Sequence, residues 1–236
     1  MASVKQCARG FFVTGTDTGV GKTLISCALL HAFRNRGLSA VGMKPVAAGC
    51  EPGPDGPRCE DVDLLRAASS VKAPQSLVNP YPLTAPLAPH IAAAQQGVEI
   101  ELEPIRTAYA QLAQMAEIVI VEGIGGFRVP FNARQDSADL AVALGLPVIL
   151  VVGMRLGCLN HALLTQEAIQ ARGLRVAGWV ANRIDAHMQA FDENLRALQE
   201  RMGCPLLGVV PWQEAPEPQE VAALLDFGFS DRQALL

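Results

Sequence analysis

The stretch Val13-Thr14-Gly15-Thr16-Asp17-Thr18-Gly19-Val20-Gly21-Lys22-Thr23 limits what this chain can fold into more than any other. It follows a short apolar run, Phe11 to Val13, and precedes a helical pattern with Leu24, Ile25, Ala28, Leu29, Leu30, Ala32 and Phe33 apolar. Strand, glycine loop and helix in that order is the setting in which Gly-Lys-Thr binds phosphate. Gly15, Gly19 and Gly21 let successive backbone N–H groups turn inward around an anion, and the free N–H groups of the new helix add positive potential. In that reading the backbone of Gly19, Val20 and Gly21 cradles phosphate, Lys22 reaches its β/γ oxygens and the Thr23 hydroxyl meets Mg²⁺. One spacing departs from the common pattern: five residues, Thr16 to Val20, separate Gly15 from Gly21, where four are usual. A plain glycine turn ahead of a core helix is the simpler alternative, and the flanking elements argue against it.

The 236 residues fit one large α/β domain spanning 1–236, and a 50% apolar content supplies a sizeable core. A net charge of −4 without a basic block speaks against nucleic-acid binding by phosphate neutralisation. No 18-residue apolar run is present, so no membrane span is expected, and the start, Met1 to Cys7, lacks the apolar core of a signal peptide. Cys7, Cys27, Cys50, Cys59, Cys158 and Cys204 are scattered without a Cys-x-x-Cys pair. Neither zinc spacing nor a small disulfide scaffold fits, so reduced cytoplasmic thiols are expected.

Taken in order, the first helix should stop near Arg36 before Gly37, and a strand should run from Ala40 to Val46, carrying Lys44 just before Pro45. Gly49 to Cys59, with Pro52, Gly53, Pro54, Gly56 and Pro57, reads as a mobile loop. A helix begins at Glu60, with acids in its first turn where the macrodipole favours them. Pro74 to Pro89 holds five prolines and reads as neither regular helix nor central strand. Further helices fit 90–96, 104–116 (with Ile105, Ala108, Leu112 and Met115 on one face), 137–144, 159–171, 192–202 and 220–225. Apolar strands fit 118–121, 147–152, 176–181 and 206–210. Continuous apolar strands alternating with helices predict a mainly parallel sheet covered on both faces.

In such sheets ligands sit beyond the carboxyl ends of the strands. That rule gathers the glycine loop, Lys44, Glu122 with its glycines, the Gly153 to Asn160 turn, Asn182 and Pro211. Glu122 ends an apolar strand and is a hard oxygen donor suited to Mg²⁺, with Thr23 and Asp61 as companions; Asp63 competes with Asp61 for that role. Lys44 is a second cation in the crevice, which suits an acceptor that is itself an anion. Asn182 matches the amino and N7 pair of adenine. The run Asn182-Arg183-Ile184-Asp185 keeps GTP open as an alternative, although it has Arg where a guanine reader has Lys. Asn160 reads as the cap of the following helix, whose start is a second anion site. His31, His90, His161 and His187 have no partner spacing, and they, Trp179 and Trp212 read as structural.

Residues 14–23, Lys44-Pro-Val-Ala-Ala-Gly49, Asn79-Pro-Tyr81, Val121-Glu-Gly-Ile-Gly-Gly126, 147–153, Leu156-Gly-Cys-Leu-Asn-His161, Ala177-Gly-Trp-Val-Ala-Asn182 and Pro205-Leu-Leu-Gly208 together resemble the dethiobiotin synthetase family, in its order and over about residues 10–212. The five-residue loop interval is typical of that family. The resemblance implies a single-domain, three-layer fold of the P-loop NTPase kind and a homodimer with the active site at its interface. It implies Mg²⁺ and ATP-dependent closure of 7,8-diaminononanoate with CO₂ to a cyclic urea, through a carbamate and a carbamic–phosphoric anhydride. By position, Lys22, Thr23, Asp61 and Glu122 match its nucleotide and Mg²⁺ residues. Thr18, Lys44, Ala48 and Gly125 match those around diamine and carbamate, with Lys44, Lys22 and Thr18 catalytic. Asn182 and Pro211 match the adenine pocket, and Asn160 would receive the diamine's carboxylate from the partner subunit. Gly19, Ala48 and Asn194 depart from residues some relatives carry: an acid, a serine and an aromatic lid residue.

Two other classes compete. A regulatory P-loop ATPase of the partitioning or septum-placement type shares the sheet, but it carries a second lysine inside the loop, where this chain has Thr16 to Thr18. An amide-forming enzyme of the cobyrinate type carries an additional glutaminase domain, for which 236 residues leave no room.

Overall fold

The structure, a computed structural model, describes residues 9–53 and 56–226; the expectations placed on the chain start with Cys7, and on Pro54, lie outside them. β1 (Arg9–Gly15) turns through the glycine loop into α1 (Lys22–Asn35). β2 (Ala40–Met43), β3 (Val46–Ala48), β4 (Glu51–Gly53) and β5 (Gly56–Arg58) follow, then α2 (Glu60–Ala68), α3 (Gln75–Val78), β6 (Tyr81–Leu83), α4 (Pro89–Gln96) and α5 (Leu102–Met115). β7 (Ile118–Glu122), α6 (Ser137–Leu144), β8 (Val148–Met154), α7 (Cys158–Ala171), β9 (Val176–Arg183), α8 (Phe191–Arg201), β10 (Leu206–Val210) and α9 (Pro218–Ala222) complete the order.

Six strands form one parallel sheet in the order β10-β9-β8-β1-β7-β2. Strands buried on both faces explain the unbroken apolar runs: Phe11 and Val13 of β1 enter the core under α1, α2 and α9, while Phe12 enters the larger core shared with α4 to α8. β1 lies between β7 and β8: the chain lays β2 and then β7 on one side of it, then reverses and lays β8, β9 and β10 on the other. That reversal opens a crevice beyond the carboxyl end of β1, next to Glu122.

Several readings change. The strand expected over 40–46 is cut after Met43: Pro45 has no N–H for the ladder, and the chain crosses to a separate two-stranded sheet, in which Val46 pairs with Tyr81. The expected mobile loop is a small antiparallel hairpin of β4 and β5, and Cys50 and Cys59 at its base form a disulfide. The expectation of reduced thiols therefore fails at these two positions. Their spacing fits no metal motif, but the hairpin brings their Cα atoms to 4.5 Å. The proline-rich segment does hold one short helix, α3, before β6. Finally, Trp212 and Met115 are exposed, whereas Trp179 is buried as expected.

The Cys50–Cys59 bridge closes a short loop, worth about 2–3 kcal/mol in chain entropy. Reducing it, or replacing both cysteines by serine, is expected to lower the melting temperature by roughly 5 °C. Identical melting curves with and without reductant would show that the bridge contributes no stability.

Candidate active site

The residues at the crevice are fixed by strand ends. Glu122 is the last residue of β7 and pairs in register with Val13; its carboxylate is fully buried. Thr23, in the first turn of α1, places Oγ1 2.9 Å from Glu122 Oε1 and 2.9 Å from Asp61 Oδ1. One hydroxyl proton cannot serve both acceptors at once. Lys44, just past β2, is 3% exposed; its Nζ lies 2.5 Å from Glu122 Oε1, 2.9 Å from Asp61 Oδ2 and 3.2 Å from the Gly123 carbonyl. Asp61 reaches in from the first turn of α2, while Asp63 turns away to pair with Arg58 at 2.8 Å. Of the two acids, Asp61 is the one that joins the cluster.

The two lysines differ in electrostatics. Burial works against the Lys44 ammonium, but Glu122 and Asp61 outweigh it and hold its pKa above the ordinary lysine value. Desolvation also opposes a charged Lys22, and the positive charge of Lys44 adds to it; Lys22 falls to about 8. Its Nζ donates to the Asp17 carbonyl at 3.0 Å. For Asp61, burial raises the pKa, and the ion pair and hydrogen bond with Lys44 more than reverse that, leaving it below the usual carboxylate range.

The glycine loop itself is tightly held. Gly21 has φ +89°, and a Cβ there would collide with the Asn182 amide, so only glycine fits. Asn182, at the end of β9, is buried and donates from Nδ2 to the Val20 carbonyl at 2.8 Å. Pro211 follows Val210, the register partner of Asn182, and is exposed beside it. Thr18 is exposed, and its Oγ1 would sit 3.6 Å from a methyl added at Gly125.

The structure thus joins Thr23, Lys44, Asp61 and Glu122 in one hydrogen-bonded cluster beside the buried Lys22. It sets Thr18 beside Gly125, and Asn182 against the loop. Ala48, half-buried at the end of β3, and Asn160 stand outside the cluster. Asn160 does not cap α7: Gly157, with φ +93°, is the cap instead, three residues before the expected one, leaving Asn160 exposed in the first turn.

Sequence reasoning missed the Asp17–Arg155 ion pair (2.6 Å), which neutralises the one acid inside the anion-binding loop. The signal was there: a carboxylate among phosphate-binding amides demands a cation. No cluster of three or more His, Cys, Asp or Glu able to hold a metal occurs among the described residues. Two carboxylates and a hydroxyl do converge, and Glu122 Oε2 is buried without a hydrogen-bond partner. Hard oxygen donors with one orphaned lone-pair site suit Mg²⁺ completed by phosphate oxygens and water.

The sequence model of a family described as "AAA domain" matches residues 9–220. The chain is 56% identical over 218 residues to the ATP-dependent dethiobiotin synthetase BioD of Nitrosospira multiformis, covering 92% of this chain and 95% of that one. It is 59% identical over 217 residues to the protein of the same name from Aromatoleum aromaticum, covering 92% and 96%. Among solved structures it resembles the septum site-determining protein MinD with Mg-ADP from Pyrococcus horikoshii, at TM-score 0.58, 16% identity and 96% and 97% coverage. The cell division protein FtsY of Thermotoga maritima follows at TM-score 0.51, 15% identity and 92% and 68% coverage. At such identity these two establish the three-layer P-loop NTPase fold only.

A bound polyphosphate favours the charged form of Lys22 and so raises its pKa from about 8. ATP binding is then expected to take up protons at pH 8.5 and almost none at pH 6.5, where Lys22 is already charged. Calorimetry in two buffers of different ionisation enthalpy checks this: equal heats at pH 8.5 would refute it, and Lys22→Ala should abolish the difference.

Proposed function

Because the chain belongs to the ATP-dependent dethiobiotin synthetase family, we propose that the crevice around Lys22 and Lys44 performs that family's ring closure with the residues just described. The reaction is a step of biotin biosynthesis. One amine of 7,8-diaminononanoate attacks CO₂ and loses a proton, giving a carbamate. A carbamate oxygen then attacks the γ-phosphorus of ATP, ADP leaves, and a carbamic–phosphoric anhydride results. The second amine attacks the carbonyl carbon, phosphate departs and the cyclic urea closes.

The observation that carries this division of labour is the position of Lys44: a buried, firmly charged ammonium beside the phosphate loop. A carbamate and a γ-phosphate repel each other, and a fixed cation between them lowers the barrier through charge that needs no reorganisation. Lys22 takes the β/γ oxygens, the backbone of Gly19, Val20 and Gly21 the remaining phosphate oxygens, and Thr18 and Gly125 the diamine side. Thr23, Asp61 and Glu122 would hold Mg²⁺, which when bound screens the phosphate oxygens and orients them. Asn182 and the Pro211 turn take the adenine. Asn182 Nδ2 is already bonded to Val20, which leaves its Oδ1 to accept from the base, and the ATP-dependent relatives favour ATP over GTP.

We place the diamine's carboxylate at the start of α7 of a partner subunit, near Asn160, in a homodimer. Support comes from exposed apolar side chains on and next to that helix: Leu156 is 95% exposed, Leu164 57% and Val142 44%. ATP supply puts the reaction in the cytoplasm, and no described helix is long and apolar enough to cross a membrane.

Lys44→Ala is expected to cut turnover roughly 10²–10³-fold while ATP still binds; intact turnover would remove Lys44 from the carbamate. Incubation with ATP, diamine and bicarbonate should yield the cyclic urea by mass spectrometry, with ADP released only when both co-substrates are present. ADP release driven by DNA or membrane would support a regulatory ATPase instead. Leu156→Asp should give a monomer in sedimentation and raise the KM for the diamine, leaving nucleotide affinity unchanged. A dimer unaffected by that change would move the interface elsewhere.

A further inference from the structure

The Asn79-Pro-Tyr81 segment takes no direct part in the chemistry, yet it is built around Lys44. At Lys44 the chain leaves the main sheet, because Pro45 cannot donate to the ladder and β2 ends at Met43. The backbone of Lys44 must therefore be held by something other than the six strands. Its N–H donates to the Val78 carbonyl at 2.8 Å, and its carbonyl accepts from Asn79 Nδ2 at 2.7 Å. The carbonyl of Pro45 accepts from the Tyr81 N–H at 3.0 Å. Asn79 is 3% exposed, and its own N–H is anchored on the Gln75 carbonyl at 2.7 Å. The amide orientation is dictated by its surroundings: Nδ2 faces the carbonyls of Lys44 and Tyr81, at 2.7 and 3.5 Å, where an oxygen would be repelled. Behind it, Oδ1 abuts the Cys50–Cys59 bridge, with Cys59 Sγ 4.0 Å away.

We propose that Asn79 is a positioning residue for the ring-closing reaction: it fixes the Lys44 backbone at the corner between the two sheets, so that the ammonium stays aimed at the Glu122 side of the phosphate crevice. This rests on the role assigned to Lys44 above. The physical reason is geometric. Lys44 has four rotatable side-chain bonds, and its Nζ satisfies three oxygens only if its Cα stays in place. A shift of about 1 Å in a group that neutralises developing charge costs on the order of 10²-fold in rate. The side-chain hydrogen bond from Asn79 is the link at the Lys44 carbonyl that substitution can remove while leaving the backbone links from Val78 and Tyr81 in place.

The test compares Asn79→Ala, which removes the amide, and Asn79→Asp, which keeps its shape but presents oxygens to the Lys44 carbonyl. The expected result for both is a fall in kcat of roughly 10–10²-fold, with ATP affinity and the KM for the diamine within a factor of about 2–3 of the parent, inside the usual spread of such measurements. A second readout does not depend on turnover. In the free enzyme the buried, charged Lys44 should resist amine acylation at pH 8.5, and in either variant peptide mass spectrometry should find it acylated, with the labelling of Lys22 unchanged. If Lys44 stays protected and kcat is unchanged, the positioning role is wrong. If both lysines become reactive together, or only the melting temperature falls, Asn79 is a general structural residue and the inference fails. Lys44→Ala, assayed alongside, separates the two levels: an active Lys44→Ala enzyme overturns the reading of the site, whereas an inactive one with fully active Asn79 variants overturns this inference alone.

Discussion

The arrangement hangs on the buried pairing of Lys44 with Glu122 and Asp61. A carboxylate at the end of a fully covered strand is costly to bury, and Glu122 has no exposure at all. Its cation cannot come from the sheet, whose strands are apolar, so it is delivered from the point where β2 stops. Removing one partner of such a buried pair costs about 3–5 kcal/mol, since the other charge is left without compensation. The same pairing that makes the free protein tolerable also holds the two groups to which the proposed chemistry is assigned, an ammonium and a carboxylate, at 2.5 Å. Stability and function therefore draw on one interaction, and the ligand's negative charge competes for Lys44 with the protein's own.

That competition explains why two lysines in one crevice behave differently. Lys44 holds both carboxylates at hydrogen-bond distance, whereas Lys22 donates to the neutral carbonyl of Asp17. Lys22 is thus short of negative charge until phosphate arrives. A loop lysine with its own carboxylate would need to give it up before binding nucleotide. Arg155 serves the same economy from the other side: by pairing with Asp17 it keeps the loop's acid from repelling the phosphates. Positive charge is thus left available at the glycine loop and tied down at Lys44, where the proposed mechanism activates the acceptor.

Much of this was legible in the chain. Strand ends were readable because the apolar runs of β1, β7 and β9 give way to Gly15, Glu122 and Asn182, and that of β10 to Pro211; collecting those ends found Glu122 and Asn182, and the end of the run after α1 found Lys44. The choice between Asp61 and Asp63 was not legible, because it depends on which face of α2 meets α1, and residues two apart point to different sides of a helix. The break at Lys44 was hidden by an apolar run that continues through Pro45 into a different sheet. Asp17 and Arg155 are 138 positions apart and meet only through the register of β1 with β8. The Asn160 cap failed for a local reason, since glycine in the left-handed region can begin a helix with no side-chain cap.

The Cys50–Cys59 bridge answers a problem set by that same corner. The second sheet is anchored in the large core by Val46 and Leu83, whereas the base of the hairpin rests on a small separate core of Ala47, Cys50, Cys59, Val62 and Val78. Yet Asp61 starts two residues after Cys59, and Lys44 lies three residues before Ala47, so any looseness here reaches both charged groups. A covalent staple costs no apolar area and takes its effect from the unfolded chain. Cys50 and Cys59 are 3% and 5% exposed, beneath the hairpin they close. The bridge thus ties the base of the hairpin to this small core, next to the corner that carries Lys44.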